Sequence, residues 1–277
     1  MATAKAEPTQ ADKRRTVRVL VALNAPMYSA AALEAAANLA ARYHGELEAL
    51  LIEDEELLWV ANLPFTREID RVSGALRDMD NVRVVRALKV QRQFLNRALV
   101  GVCGKLKVSS RVRVVRGDFL SEALTAAAEA EIAILTRASH TATPPPAGQR
   151  LLRTAPARGT RRKPVWSLFD GSPASGRALI QAGTIAAEGA TELVVAVPES
   201  ATGGRRKLET KAHTLLGATA VRARFVVVPR AEIGVLFQYM WPEGCSLLFL
   251  GRDSIDLGTR QTAAWLKQPA CPVVVMA

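Results

Sequence analysis

Residues 24–51, NAPMYSAAALEAAANLAARYHGELEALL, and residues 170–197, DGSPASGRALIQAGTIAAEGATELVVAV, align without a gap at an offset of 146 positions. Ser29 stands opposite Ser175, Ala32 opposite Ala178, Leu33 opposite Leu179, Ala36 opposite Ala182, Glu46 opposite Glu192 and Leu47 opposite Leu193. A match at a domain-sized period marks duplication of a whole folding unit rather than a solenoid of short repeats. Each copy has the same order: an apolar run ending in a turn, an Ala-rich helical segment, and a second apolar run. That order is a βαβ unit, so the sequence describes two tandem α/β domains with parallel, doubly wound sheets.

Outward from the first copy, Val17–Leu23 reads as a strand buried on both faces and broken only by Arg18, and Tyr28–Tyr43 as a helix with Leu33, Ala36 and Ala40 on one stripe. Glu46–Ile52 follows as a strand and Asp54–Phe65 as a connecting segment closed by Pro64. From about Arg67 to Lys107 the pattern predicts one long helix. Val84, Leu88, Leu95, Ala98, Leu99 and Val102 fall together on a helical wheel, broadly opposite Arg83, Arg86, Lys89, Gln93 and Arg97. Arg111–Val115, Leu120–Ala130 and Ile132–Thr136 read as strand, helix and strand. The order then dissolves into a Pro-rich loop, Thr141–Pro146, and a basic linker.

In the second copy the predicted strands are Pro164–Phe169, Leu193–Val197, Phe225–Val228, Ser246–Leu250 and Pro272–Met276. The predicted helices are Ala174–Glu188, Arg205–Leu216, Ile233–Tyr239 and Thr259–Lys267. The domain plan is a disordered leader over 1–16, a first domain over 17–156, a linker over 157–163 and a second domain over 164–277. The first domain lacks a recognisable last strand, so its fourth strand needs a neighbour. Pro272–Met276, an apolar strand at a sheet edge, predicts a homodimer or an intramolecular pairing of the two copies.

Hydrophobic residues make up 49% of the chain and aromatic ones 5%, so the cores are expected to be aliphatic. No apolar run approaches the ~20 residues of a membrane span, and no membrane partner is expected. The net charge of +11 is concentrated. Residues 81–117 hold ten Lys or Arg and no acid, and residues 132–169 hold seven and no acid. Surface helices ordinarily intersperse both signs. The acid-free stretch therefore makes Arg83, Arg86, Lys89 and Arg97 a candidate face for an anionic partner, nucleic acid or acidic protein, with Phe94 the only aromatic beside it. Cys103, Cys245 and Cys271 lie far apart without a CxxC and read as buried thiols in a reducing compartment, with no disulfide or metal role expected.

A strand ending in Phe169-Asp170-Gly171-Ser172 leads into an Ala-rich helix. The chain then closes with Leu250, Gly251-Arg252, Gly258-Thr259 and Cys271-Pro272-Val273-Val274-Val275. In the first copy, Val114-Val115-Arg116-Gly117-Asp118, a helix and Ile132–Leu135 keep the same company. Together these resemble the universal stress protein family in its tandem form, over about residues 16–277. The resemblance implies a five-stranded, Rossmann-like parallel sheet with helices on both faces, cytoplasmic location, dimeric association and, in one branch, ATP binding.

Carried over, the nucleotide residues are Asp170, Val197, Gly251, Gly258 and Thr259. That branch has Gly-x-x-Gly, nine further residues, then Gly-Ser or Gly-Thr opening the last helix, so that backbone amides and the helix N-terminus meet phosphate. Here Gly251 stands only seven residues before Gly258, Ser254 takes the place of the second glycine, and Asp253 and Asp256 would repel a triphosphate. In the first copy Thr136 replaces the leading glycine and Asn24 the turn aspartate. No cofactor is expected, and weak ATP binding at most.

Catalytic and metal-binding patterns are missing from the sequence. His44, His140 and His213 are isolated, and Ser172 lacks a GxSxG elbow. The expected function is a non-catalytic stress-response module acting through self-association or a partner. An ATP-binding regulator and a binder of nucleic acid or an acidic partner through the basic helix are the alternatives.

Overall fold

In the computed structural model, which describes residues 16–24, 30–69, 74–136, 162–199, 204–217, 219, 221–229, 233–240, 242–254 and 271–277, the apolar runs of each half are neighbouring parallel strands. The leader, residues 137–156, most of the linker and the predicted helix Thr259–Lys267 lie outside the described residues.

The first half contributes β1 (Arg18–Asn24), α1 (Ala30–Arg42), β2 (Glu46–Glu53), α2 (Glu55–Ala61), β3 (Arg67–Ile69), β4 (Leu76–Asp78), α3 (Asn81–Leu106), β5 (Ser109–Arg116), α4 (Phe119–Glu129) and β6 (Ile132–Leu135). The second contributes β7 (Val165–Leu168), α5 (Pro173–Glu188), β8 (Leu193–Pro198), α6 (Arg205–Leu216), β9 (Ala223–Val228), α7 (Ile233–Met240), β10 (Leu247–Gly251), a 3-10 turn at Arg252–Ser254, and β11 (Val273–Met276).

Among the described residues, nine strands form one sheet in the order β5-β2-β1-β6-β11-β10-β7-β8-β9. Every pairing is parallel except one. β11 runs antiparallel to β6, with Leu135 opposite Val273 and Ile132 opposite Met276, and parallel to β10 on its other side. The place beside β6, where the sequence offers no last strand for the first half, is thus taken by the last strand of the second. Beyond β11 the seam continues, with Ala277 N–H donating to the Glu131 carbonyl at 2.9 Å and Arg177 Nε donating to the Ala277 carbonyl at 2.8 Å. The Arg252 guanidinium crosses the same boundary to the Ala127 carbonyl at 2.9 Å, near the C-terminus of α4, where a cation favours the helix dipole.

Successive residues of a strand point to opposite faces, which divides the core in two. One layer lies under α1, α3, α5 and α6 and takes Val19, Val21, Leu47, Val195 and Val274; the other lies under α4 and α7 and takes Leu20, Leu50, Val194 and Val275. The core is mainly aliphatic, with Trp166, Phe169, Phe237 and Phe249 the buried aromatic members among the described residues. On α1, Ala32, Ala36 and Ala40 are wholly buried, and so are Ala178, Ala182 and Ala186 at the matching positions of α5. Methyl side chains at this spacing let each helix sit close on the sheet. Both helices also stop alike: His44 (φ 49°) and Ala190 (φ 48°) turn left-handed, and the next N–H returns to the carbonyl of Ala40 or Ala186.

Two expectations need correction. The stretch from Arg67 to Lys107 is not one helix: Arg67–Ile69 and Leu76–Asp78 pair antiparallel as a small hairpin, and α3 begins only at Asn81. Its start is fixed by Asp80, whose carboxylate accepts from Val82 N–H at 3.0 Å. The connecting segment 54–65 contains α2, capped in the same way by Asp54 on Glu56 N–H at 2.9 Å. The apolar stripe of α3 is as the wheel predicts, with Leu88, Leu95 and Leu99 buried and Val84, Ala98 and Val102 packed at its flanks.

Candidate functional site

Open α/β sheets bind ligands outside the carboxyl ends of their strands, where the strand order reverses. In the second half that point lies between β7 and β10. β7 runs into Phe169 and Asp170, then Gly171 turns with φ 88° and α5 starts. Ser172 caps this helix, accepting from Ser175 N–H at 3.1 Å, with Pro173 at the first helical position. The Asp170 carboxylate is engaged at both oxygens: Oδ1 accepts from Ser172 N–H at 2.9 Å and Oδ2 from the Ser254 hydroxyl at 2.7 Å. Burial pushes this carboxyl up, but the hydrogen bonds around it, from Ser175, Ser254 and Ser172, outweigh burial and hold it below the ordinary aspartate range.

Two of the residues carried over for a nucleotide meet here. Gly251 ends β10 directly against the start of α5: a Cβ on it would stand 2.4 Å from Ser175 N and 2.9 Å from Ala174 C. Val197 is wholly buried in the core under β8, leaving only its main chain near the carboxyl edge. Gly258 and Thr259 lie outside the described residues. Ser254, standing for the second glycine, spends its hydroxyl on Asp170. In the first half the equivalent crevice, between β1 and β6, holds buried Thr136, whose hydroxyl donates to the Ala22 carbonyl at 3.0 Å. In both halves a hydroxyl side chain occupies the place of a glycine and bonds inward.

The basic face is smaller than the sequence suggests, because acids distant in the chain come to meet it. Glu53, wholly buried at the end of β2, takes Arg92 through two hydrogen bonds of 2.6 and 2.7 Å, with Arg116 at 3.5 Å. The Arg92 guanidinium holds the Glu53 carboxyl below its usual range against the opposing effect of burial. Glu48, paired in register with Arg111 on β5, binds Arg111 at 2.5 Å and Arg113 at 2.9 Å. Arg83 reaches Glu68 of the hairpin at 3.5 Å. Arg86, Lys89 and Arg97 are exposed, with no ion pair among the described residues; Phe94 is exposed beside them.

An open hollow at the opposite, amino edge of the sheet mixes Arg162, Arg222 and Arg224 with Glu192 and Glu243, and Arg224 pairs with both acids. Its lining carries both signs. His213 lies against the Phe225 ring, and His44 is an exposed helix end. Among the described residues, no three His, Cys, Asp or Glu side chains gather as a metal site, and no helix is long and apolar enough to cross a membrane.

No family model and no curated protein matches the sequence. Solved structures similar to the chain include universal stress proteins. One from Archaeoglobus fulgidus DSM 4304 is 10% identical, with 93% of this chain and 95% of that one covered and a TM-score of 0.48. A member of that protein family from Burkholderia pseudomallei is 15% identical, covering 76% and 94%, with a TM-score of 0.29. A third, in complex with cAMP, is 20% identical, covering 43% of this chain and 100% of that one, with a TM-score of 0.30. At these values the α/β fold rests on the strand order and pairing described above.

Proposed function

We propose that this chain is a non-catalytic, cytoplasmic module of stress response, of the universal stress protein type, acting through self-association or a partner. The stress assignment comes from the resemblance in sequence. The mode of action is supported by one surface. Around α2 and the hairpin, Trp59 (64% exposed), Phe65 (98%), Ile69 (66%) and Leu76 (62%) stand in solvent, and Ile69 and Leu76 are hairpin partners. Clustered apolar side chains of this size on a surface mark contact sites. With β11 paired inside the chain, this cluster rather than the last strand would carry self-association.

The test is native mass spectrometry of the purified chain with and without added ATP. The expected result is a dimer without bound nucleotide, and a monomer when Trp59 and Phe65 are both changed to Ser. A parent that is monomeric at every concentration and captures no protein partner would sink the proposal. Stoichiometric ATP, lost on Gly258→Val, would replace it with the regulator that binds adenine nucleotide through Asp170, Val197, Gly251, Gly258 and Thr259.

A second reading, an anionic partner on α3, is favoured by the three exposed cations and Phe94. Arg83 is engaged with Glu68, so three contacts are expected rather than four. Duplex DNA binding should then show a log-affinity slope of about −2.7 against log salt, roughly a 40-fold loss between 50 and 200 mM. A fluorescence titration comparing the parent with a variant carrying Arg86, Lys89 and Arg97 changed to Gln decides this. Equal binding by the two proteins would leave α3 a solvated face.

A further inference from the structure

The three cysteines are not all apart in space. Cys245 lies two residues before β10 and Cys271 two residues before β11, and these strands are parallel neighbours in a register that sets Leu248 opposite Val273. The pairing with β11 extends one step below that strand, with Leu248 N–H donating to the Pro272 carbonyl at 3.1 Å, whereas Ser246 N–H turns to the Pro164 carbonyl beside β7 at 2.9 Å. Cys245 and Cys271 thus both stand at the foot of this strand pair, and both side chains lie in the layer under α4 and α7, Cys245 buried within it and Cys271 packed against it. Each thiol is close enough to the other for Cys271 to bear on the titration of Cys245. Cys103 is elsewhere, buried on α3 in the first half.

We propose that Cys245 and Cys271 are a modification site for oxidants of the hydroperoxide class, closing reversibly to a disulfide at the foot of the seam strand. The roles follow from access. Cys271 is half-buried and meets the oxidant, while Cys245 is buried and resolves. The Cys271 thiolate attacks one oxygen of the peroxide; an S–O bond forms, the O–O bond breaks, and the departing hydroxide leaves as water with the thiol's proton. Cys245 Sγ then attacks the Cys271 sulfenic sulfur; the S–S bond forms, the S–O bond breaks, and hydroxide leaves as a second water with the Cys245 proton. Two thiols are oxidised and one peroxide is reduced to water. Burial pushes the Cys245 thiol up, and the Lys163 ammonium, whose chain lies over Gly244, works in the opposite direction by favouring the thiolate. Intracellular disulfides are in the main transient and redox-sensing, which is the behaviour expected of this pair.

The site ties β11 to β10, and β11 is the strand that also holds β6. As a stress signal it rests on the reading proposed above; as chemistry it stands without it. The test treats the reduced full chain with hydrogen peroxide, blocks remaining thiols with N-ethylmaleimide and digests without reductant. Tryptic peptides 231–252 and 268–277 should appear joined, short of two hydrogens, and separate again in dithiothreitol. The link should persist in Cys103→Ser and vanish in Cys245→Ser and in Cys271→Ser. Peptides that stay separate and alkylated, under oxidation that converts glutathione in the same tube, would overturn the site. So would a link to Cys103 or between two chains. Failure here leaves the dimer experiment untouched, and a monomeric parent leaves this chemistry untouched.

Discussion

Replacing Val274 by aspartate is expected to unfold both halves of the molecule together. Val274 sits wholly buried at the middle of β11, between Ile134 on β6 and Phe249 on β10. The variant loses the burial of a valine, about 1.5–3 kcal/mol. It also places a carboxylate in an aliphatic layer without a donor, which the chain avoids only by protonating it or opening the sheet. The sum, about 5 kcal/mol or more, is comparable with the whole stability of an ordinary domain. Because β11 belongs to the second half in sequence but completes the first half's sheet, the loss should cross the repeat boundary. Hydrogen exchange reads this directly: amides of β6 should lose protection along with those of β10. Val274→Ala, costing about 2–3 kcal/mol, should keep the fold and show the same coupling in milder form. Native-like protection at 132–135 in the aspartate variant would mean that the first half stands without the seam.

That seam was half legible in the sequence. The apolar run 272–276 and the missing last strand of the first copy both signal an edge that needs a partner, but one chain cannot say whether the partner is itself. The βαβ order and the repeat were legible because burial on both strand faces leaves continuous apolar runs, and because Ala32, Ala36 and Ala40 have counterparts in the second copy. The hairpin and α2 were not: Arg67–Ile69 and Leu76–Asp78 are exposed throughout, so no burial pattern marks them. Charge was legible only locally. The acid-free run 81–117 is real in sequence, yet Glu48 and Glu53 reach it from β2, 63 positions before the arginines of β5 that they pair with. The dithiol was hidden for the same reason, since a parallel crossover brings together residues that sequence spacing separates. The engagement of Asp170 by Ser254, 84 positions on, could be suspected from the lost glycine but not seen.

Gly251 is where the sequence and the structure assign one residue two different reasons. By resemblance it is a glycine so that phosphate can approach the backbone; in the fold it is a glycine because α5 already does. A methyl group at Gly251 would press on main-chain atoms, Ser175 N at 2.4 Å and Ser175 Cα at 2.9 Å, and backbone at the capped start of a helix cannot move aside as a flexible side chain can. Moving it would disturb the Ser172 cap and the bonds to Asp170, which depend on the same turn. Gly251→Ala is therefore expected to cost about 3 kcal/mol, at the upper end for overpacking, and to lower Tm by roughly 6–10 °C in a chain of this size. The two reasons separate in one measurement. If packing governs the position, Tm falls by the same amount with or without ATP. If phosphate approach governs it, the apo variant melts near the parent and only an ATP-dependent rise in Tm is lost. A thermal melt of parent and Gly251→Ala, each with and without millimolar ATP, distinguishes them. A variant within about 1 °C of the parent in the absence of nucleotide would remove the packing account, because a methyl group so close to two backbone atoms cannot be accommodated without cost.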